Sequence, residues 1–74
     1  MKSTLAQIIN SACDYEGVTM QTLISPVRYG EVVKARELVI WNAVKMGHSF
    51  SSIGRALNQH HSTIITSAKR TGAI

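Results

Sequence analysis

Residues 49–64 read SFSSIGRALNQHHSTI, and the fold turns on how this stretch is read. Ser49 can accept hydrogen bonds from the free amides of a helix start. Phe50, Ile53, Ala56 and Leu57 follow at steps of three and four, which predicts a helix over about 49–57 with one apolar side. Asn58 and Gln59 then make a tight turn, since asparagine tolerates the left-handed conformation. Beyond them the pattern restarts with a polar opening, His60, His61, Ser62 and Thr63, before Ile64, Ile65 and Ala68 on one inward side. This predicts a second helix over about 60–71, stopped by Gly72. Gly54 and Ala56 are small where the two helices would cross. The unit is therefore a helix, a short turn and a helix with an exposed polar start.

Upstream, Leu5, Ile8, Ile9, Ala12 and Tyr15 recur at helical spacing, with Ser3 or Thr4 to cap and Gly17 to stop. They predict a first helix over about 4–16. Thr19 caps a short second one over about 19–24, whose apolar face is Met20, Leu23 and Ile24, and Pro26 ends it. Residues 25–30 form an exposed loop carrying Arg28. A long stretch over about 31–46 has Glu31 at its positive start and Lys45 at its negative end. Its apolar residues, among them Val32, Val39, Ile40, Trp41 and Val44, cover more than one face, which makes it the hub of the fold with Trp41 as a core anchor. The expected architecture is all-α: a compact bundle of about five helices forming one domain over residues 1–74.

Seventy-four residues with a single cysteine exclude a disulfide-stapled secreted fold, and Cys13 is expected to pack in the core. Gln7, Asn10, Ser11, Asp14 and Glu16 break any signal-like apolar run near Lys2, and no apolar run is long enough to span a bilayer. Charge is unevenly placed. Residues 1–24 carry Lys2, Asp14 and Glu16, whereas residues 25–74 carry Arg28, Lys34, Arg36, Lys45, Arg55, Lys69 and Arg70 against Glu31 and Glu37 alone. Such a one-sided excess favours a polyanionic partner, nucleic acid before a membrane surface.

The paired helices supply a way to use that charge. In a helix-turn-helix the start of the second helix enters the major groove, and hydroxyl and imidazole groups there can meet base edges and phosphates. His60, His61, Ser62 and Thr63 occupy that start, while Arg55, Lys69 and Arg70 are generic phosphate candidates. No histidine has an obvious carboxylate partner, so no enzyme is expected. No Cys or His pair has zinc-ligand spacing, so no metal is expected either. His48 is a turn residue that helps close the long helix.

Residues 49–64, followed by Ser67-Ala68-Lys69-Arg70, resemble the C-terminal DNA-binding domain of the bacterial replication initiator DnaA. That family reads S-L-x-E-I-G-x-x-F/L-G-x-R-D-H-T/S-T-V, with a basic pair about five residues later. His61, Ser62 and Thr63 match its H-T/S-T signature, and Val18 to Ser25 resembles its V-x-x-x-x-L-L-S segment. Arg28 falls on the arginine of its basic loop, and Lys34-Ala35-Arg36-Glu37 on its R-x-R-Q. The resemblance spans residues 8–72. It implies a Trp-repressor-like helix-turn-helix fold, with Arg28 in the minor groove, Lys34 and Arg36 on phosphates, and His61, Ser62 and Thr63 in the major groove. Two departures are plain: His60 stands where the family has aspartate, and Pro26-Val27-Arg28 replaces a basic run.

No G-x-x-x-x-G-K-[ST] phosphate loop is present, so neither a nucleotide nor another cofactor is expected. The start at Met1-Lys2-Ser3 and the end at Ile74 lead us to expect a small free-standing protein of phage or plasmid type. It would act on double-stranded DNA in the cytoplasm of a bacterial or phage-infected cell, in replication control or transcriptional regulation. The alternative is a small interaction module that uses the Val32–Trp41–Val44 surface of the long helix. That surface would bind a host replication or transcription protein, or a second copy of the chain.

Overall fold

The structure, a computed structural model, describes residues 3–74; Met1 and Lys2, the latter counted among the cations, lie outside them. Its helices are α1 (Leu5–Glu16), α2 (Met20–Leu23), α3 (Gly30–Lys45), α4 (Phe50–Leu57) and α5 (His61–Thr71). Each boundary falls within one residue of the expected one. At the starts of α1, α2, α4 and α5 the offset has a simple cause: Thr4, Thr19, Ser49 and His60 are capping residues with extended backbone, so each stands just outside the helix it starts.

At α1 the cap is reciprocal. Thr4 Oγ1 accepts from the Gln7 amide at 3.2 Å, and the Thr4 amide donates to Gln7 Oε1 at 2.9 Å. The long helix α3 packs against each of the other four, and α4 packs chiefly against α5. One apolar cluster joins them, with Leu23, Val39, Ile40, Ile53, Leu57 and Ile64 essentially closed to solvent. Cys13 is a buried free thiol within it, and burial first, then the charge of Asp14, pushes its pKa up. The thiol is held protonated, which suits packing and not reactivity.

Three expectations about apolar residues need correction. Tyr15 is 80% exposed, and Met20 and Ile24 are 43% and 37% exposed, so Leu23 is the one fully buried residue of α2. Trp41 is 41% exposed and is not a core anchor. The inward arc of α3 is taken by Val32, Ala35, Val39, Ile40 and Ala43, mostly small or β-branched residues that let neighbouring helices approach closely. Trp41 lies two residues from both Val39 and Ala43, on the far side of the helix. Its ring lies under Lys45 Nζ at 5.5 Å from the centroid. The Val32–Trp41–Val44 surface does not exist as a face, because Val32 is buried and nine residues of helix turn it about 180° from Trp41.

His48 has a role beyond its turn. Its backbone amide closes α3 on the Ala43 carbonyl at 3.0 Å, and its Nε2 lies 2.8 Å from the Ser3 carbonyl, joining the start of the chain to the end of α3.

Candidate nucleic-acid interface

The turn between α4 and α5 is built from local chemistry. Asn58 is the only described residue other than glycine with positive φ, at +56°. It reverses the chain so that the Gln59 amide donates to the Gly54 carbonyl at 2.7 Å. A Cβ on Gly54 would stand 2.6 Å from the Gln59 carbonyl oxygen, so this crossing requires glycine. Ala56, the second small residue, is only half-buried.

His60 then caps α5 with its ring. Its Nδ1 accepts from the Ser62 amide at 3.2 Å and lies 2.5 Å from the Ser62 hydroxyl. An accepting Nδ1 leaves the ring proton on Nε2. The His61 ring leans on it, with centroids 4.3 Å apart. His60, His61, Ser62 and Thr63 are all exposed, as is Thr66 one turn later, whose hydroxyl donates to the Ser62 carbonyl at 3.0 Å. Ile64, Ser67 and Ala68 face inward, and Ile65 is half-buried.

The connection from α2 to α3 is built differently. Arg36 is not a surface cation. It is 7% exposed, and its guanidinium donates from Nε to the Leu23 carbonyl at 2.8 Å, from Nη1 to the Val27 carbonyl at 2.7 Å, and from Nη2 to the Ser25 carbonyl. Its expected phosphate contact is therefore corrected: every nitrogen of the guanidinium is already committed to the end of α2 or the loop after it. Burial first, and then the nearby charge of Arg28, lowers the Arg36 pKa, although an arginine remains charged at neutral pH. The loop wraps this cation, and Ser25 Oγ adds a bond to the Thr22 carbonyl at 2.6 Å.

Arg28 follows directly and is exposed. It lines a cleft of about 290 Å³ together with Val33, Arg36, Glu37, Gln59, Ser62, Thr63, Thr66 and Arg70. The fold thus brings the loop arginine, the hydroxyl face of α5 and one terminal cation of α5 to a single concavity. Arg70 also lies 3.9 Å from a Glu37 carboxylate oxygen and donates to Ser67 Oγ at 3.2 Å. That ion pair is exposed on the arginine side and contributes little stability.

Of the other candidates only Arg36 borders the cleft, from its buried position. Lys34 borders a separate depression with Tyr15, Glu16 and Trp41. Arg55 and Lys69 are exposed on α4 and at the end of α5, outside the cleft. His60 and His61 stand at the exposed start of α5 beside it. Gln59 and Thr66 were not among the expected contacts. Thr66 was legible as the residue one helical turn after Ser62, but Gln59 reaches the cleft only through the geometry of the turn.

An all-helical bundle with this turn, and with an exposed polar start on its last helix, defines a helix-turn-helix DNA-binding domain. The family described as bacterial dnaA protein helix-turn-helix matches residues 5–71. The chain belongs to that family, and so it binds double-stranded DNA through its helix-turn-helix. The family domain is a DNA-binding module and not an enzyme. No curated protein and no solved structure matches the chain significantly. Among the described residues, no helix is long and apolar enough to cross a membrane.

Proposed function

We propose that the protein reads duplex DNA with the start of α5 in the major groove and Arg28 in the adjacent minor groove, and that it controls replication or transcription by occupying initiator-type sites. The observation that carries this reading is the shared cleft, in which Arg28 faces the hydroxyl side of α5 across a concavity bordered by Arg70. A protein seated on a groove edge needs such an arrangement: a helix start for base edges, and a cation beyond it for the next groove. The side chains of Arg28, Arg55 and Lys69 make no hydrogen bond or ion pair among the described residues, which leaves them able to meet phosphates or the groove floor. Lys34 serves at most as a peripheral phosphate contact, given its separate depression.

Fluorescence anisotropy tests this on a duplex carrying a DnaA-type box beside a scrambled duplex, across a salt series. Preference for the box is expected, with a log–log salt slope of about −0.9 per phosphate neutralised. Equal binding to both duplexes would remove the sequence-reading role.

A second reading concerns the opposite side. Tyr15 and Trp41 are exposed together at the depression that Lys34 borders, a surface suited to a protein partner or a second copy of the chain. Sedimentation at increasing protein concentration separates this from a monomeric reader.

A further inference from the structure

The cap at the start of α5 fixes the polarity of the side chain that stands there. His60 has two ring nitrogens, and Nδ1 is occupied by the Ser62 amide and hydroxyl. The remaining nitrogen, Nε2, carries the proton and lies on an exposed side chain at the leading edge of the helix-turn-helix. It can donate and cannot accept. The neighbouring His61 ring lies against the His60 ring, tilted by 33° with centroids 4.3 Å apart.

We propose that His60 reads a hydrogen-bond acceptor on a base edge in the major groove, with guanine preferred. The proposal rests on the groove placement given under Proposed function and deepens it. Guanine offers N7 and O6 side by side with no donor between them, so both the Nε2–H and the weakly positive ring C–H groups beside it meet acceptors. Adenine offers N7 but places its N6 amino group next to it. Cytosine presents N4–H₂, which opposes one donor with another. A carboxylate at this position has the reverse polarity, because it only accepts and so favours cytosine or adenine amino groups. The histidine therefore inverts the preference at one base pair while keeping the cap, since aspartate and asparagine also cap helix starts.

The test uses the 74-residue chain and its His60→Asp variant, each enriched against a pool of duplexes with a randomised core. Anisotropy follows, on duplexes carrying each of the four base pairs at whichever position changes. The wild-type site is expected to hold guanine at one position, favoured at least about fivefold over cytosine there. His60→Asp should move that position, and no other, to cytosine or adenine. His60→Asn serves as a second variant and should move it to adenine, through paired bonds to N6 and N7. Identical sites for wild type and both variants would overturn the proposal while leaving groove insertion intact. So would a changed position that reads cytosine in the wild type. Failure of the wild-type chain to enrich any sequence would overturn the groove reading itself, and this proposal with it.

Discussion

The two connections that present the DNA-facing residues are held by opposite means. The turn from α4 to α5 is secured within seven residues: a glycine without a Cβ, an asparagine at positive φ and a histidine cap. The connection from α2 to α3 has a single local tie, the Ser25 hydroxyl between the Thr22 carbonyl and the Val27 amide, and Tyr29, which precedes α3, makes no side-chain cap. It is held from a distance by one buried cation, whose guanidinium reaches the carbonyls of residues 23, 25 and 27. Shape that is stored locally can be lost one piece at a time, whereas shape stored in a single side chain is lost at once. The difference predicts a hierarchy of mutational effects.

Arg36→Ala should be the most damaging. It strips three carbonyls of their charged donor and empties a buried position, at a cost of about 2–4 kcal/mol in urea unfolding. Arg36→Lys separates the two possible roles of the residue. Lysine keeps the charge and would satisfy a phosphate, but it lacks the planar fork that spans three carbonyls. Destabilisation of both variants is expected; a lysine variant as stable as the parent would mean the carbonyl clasp contributes little.

Gly54→Ala tests the other connection. Its Cβ meets a backbone oxygen at 2.6 Å, so the turn must shift and not merely a flexible side chain. A loss of about 1–3 kcal/mol is expected from overpacking, reduced by the better helix propensity of alanine. Next in size is Asn58→Ala, which should lose about 1 kcal/mol, while Asn58→Gly stays near neutral, because the site asks only for a residue at ease at positive φ. If alanine and glycine at this position behaved alike in thermal melts, backbone strain would not be what holds the turn.

The same contrast explains what could be read without coordinates. The helices, and the turn at residues 58–59, were legible because their signals are local: spacing of apolar residues, caps, and an asparagine between two periodic runs. Arg36 was not. A cation two residues from Lys34 looks the same whether it reaches outward to phosphate or inward to carbonyls, and its partners lie 9 to 13 residues upstream. Trp41 failed for a related reason. On a helix contacting four others, periodicity cannot tell which arc faces the core, and the close-packed arc went to smaller residues. His60 was legible as a polar residue at a helix start, but its orientation as a cap, and hence the polarity of its free nitrogen, depended on geometry.

The smallest effect on stability should come from Arg28→Ala, and it joins the two connections to function. Arg28 is exposed, makes no hydrogen bond, and its charge acts against that of Arg36, so its removal should change unfolding by less than about 0.5 kcal/mol. Its selectivity for a DnaA-type box over a scrambled duplex should nevertheless fall by about tenfold, on the order of one minor-groove contact. If Arg36 acts on DNA only by holding the loop that presents Arg28, then Arg36→Lys should lower selectivity by a similar factor. The double variant Arg28→Ala/Arg36→Lys should then lose no more than either alone, measured at a temperature where all of them are folded. If Arg36 were instead a second phosphate contact, Arg36→Lys would keep that contact and stay near the parent in selectivity, and the double variant would lose only what Arg28→Ala loses. A loss of selectivity in Arg36→Lys that the double variant does not deepen is therefore the signature that separates a buried clasp from a second surface contact.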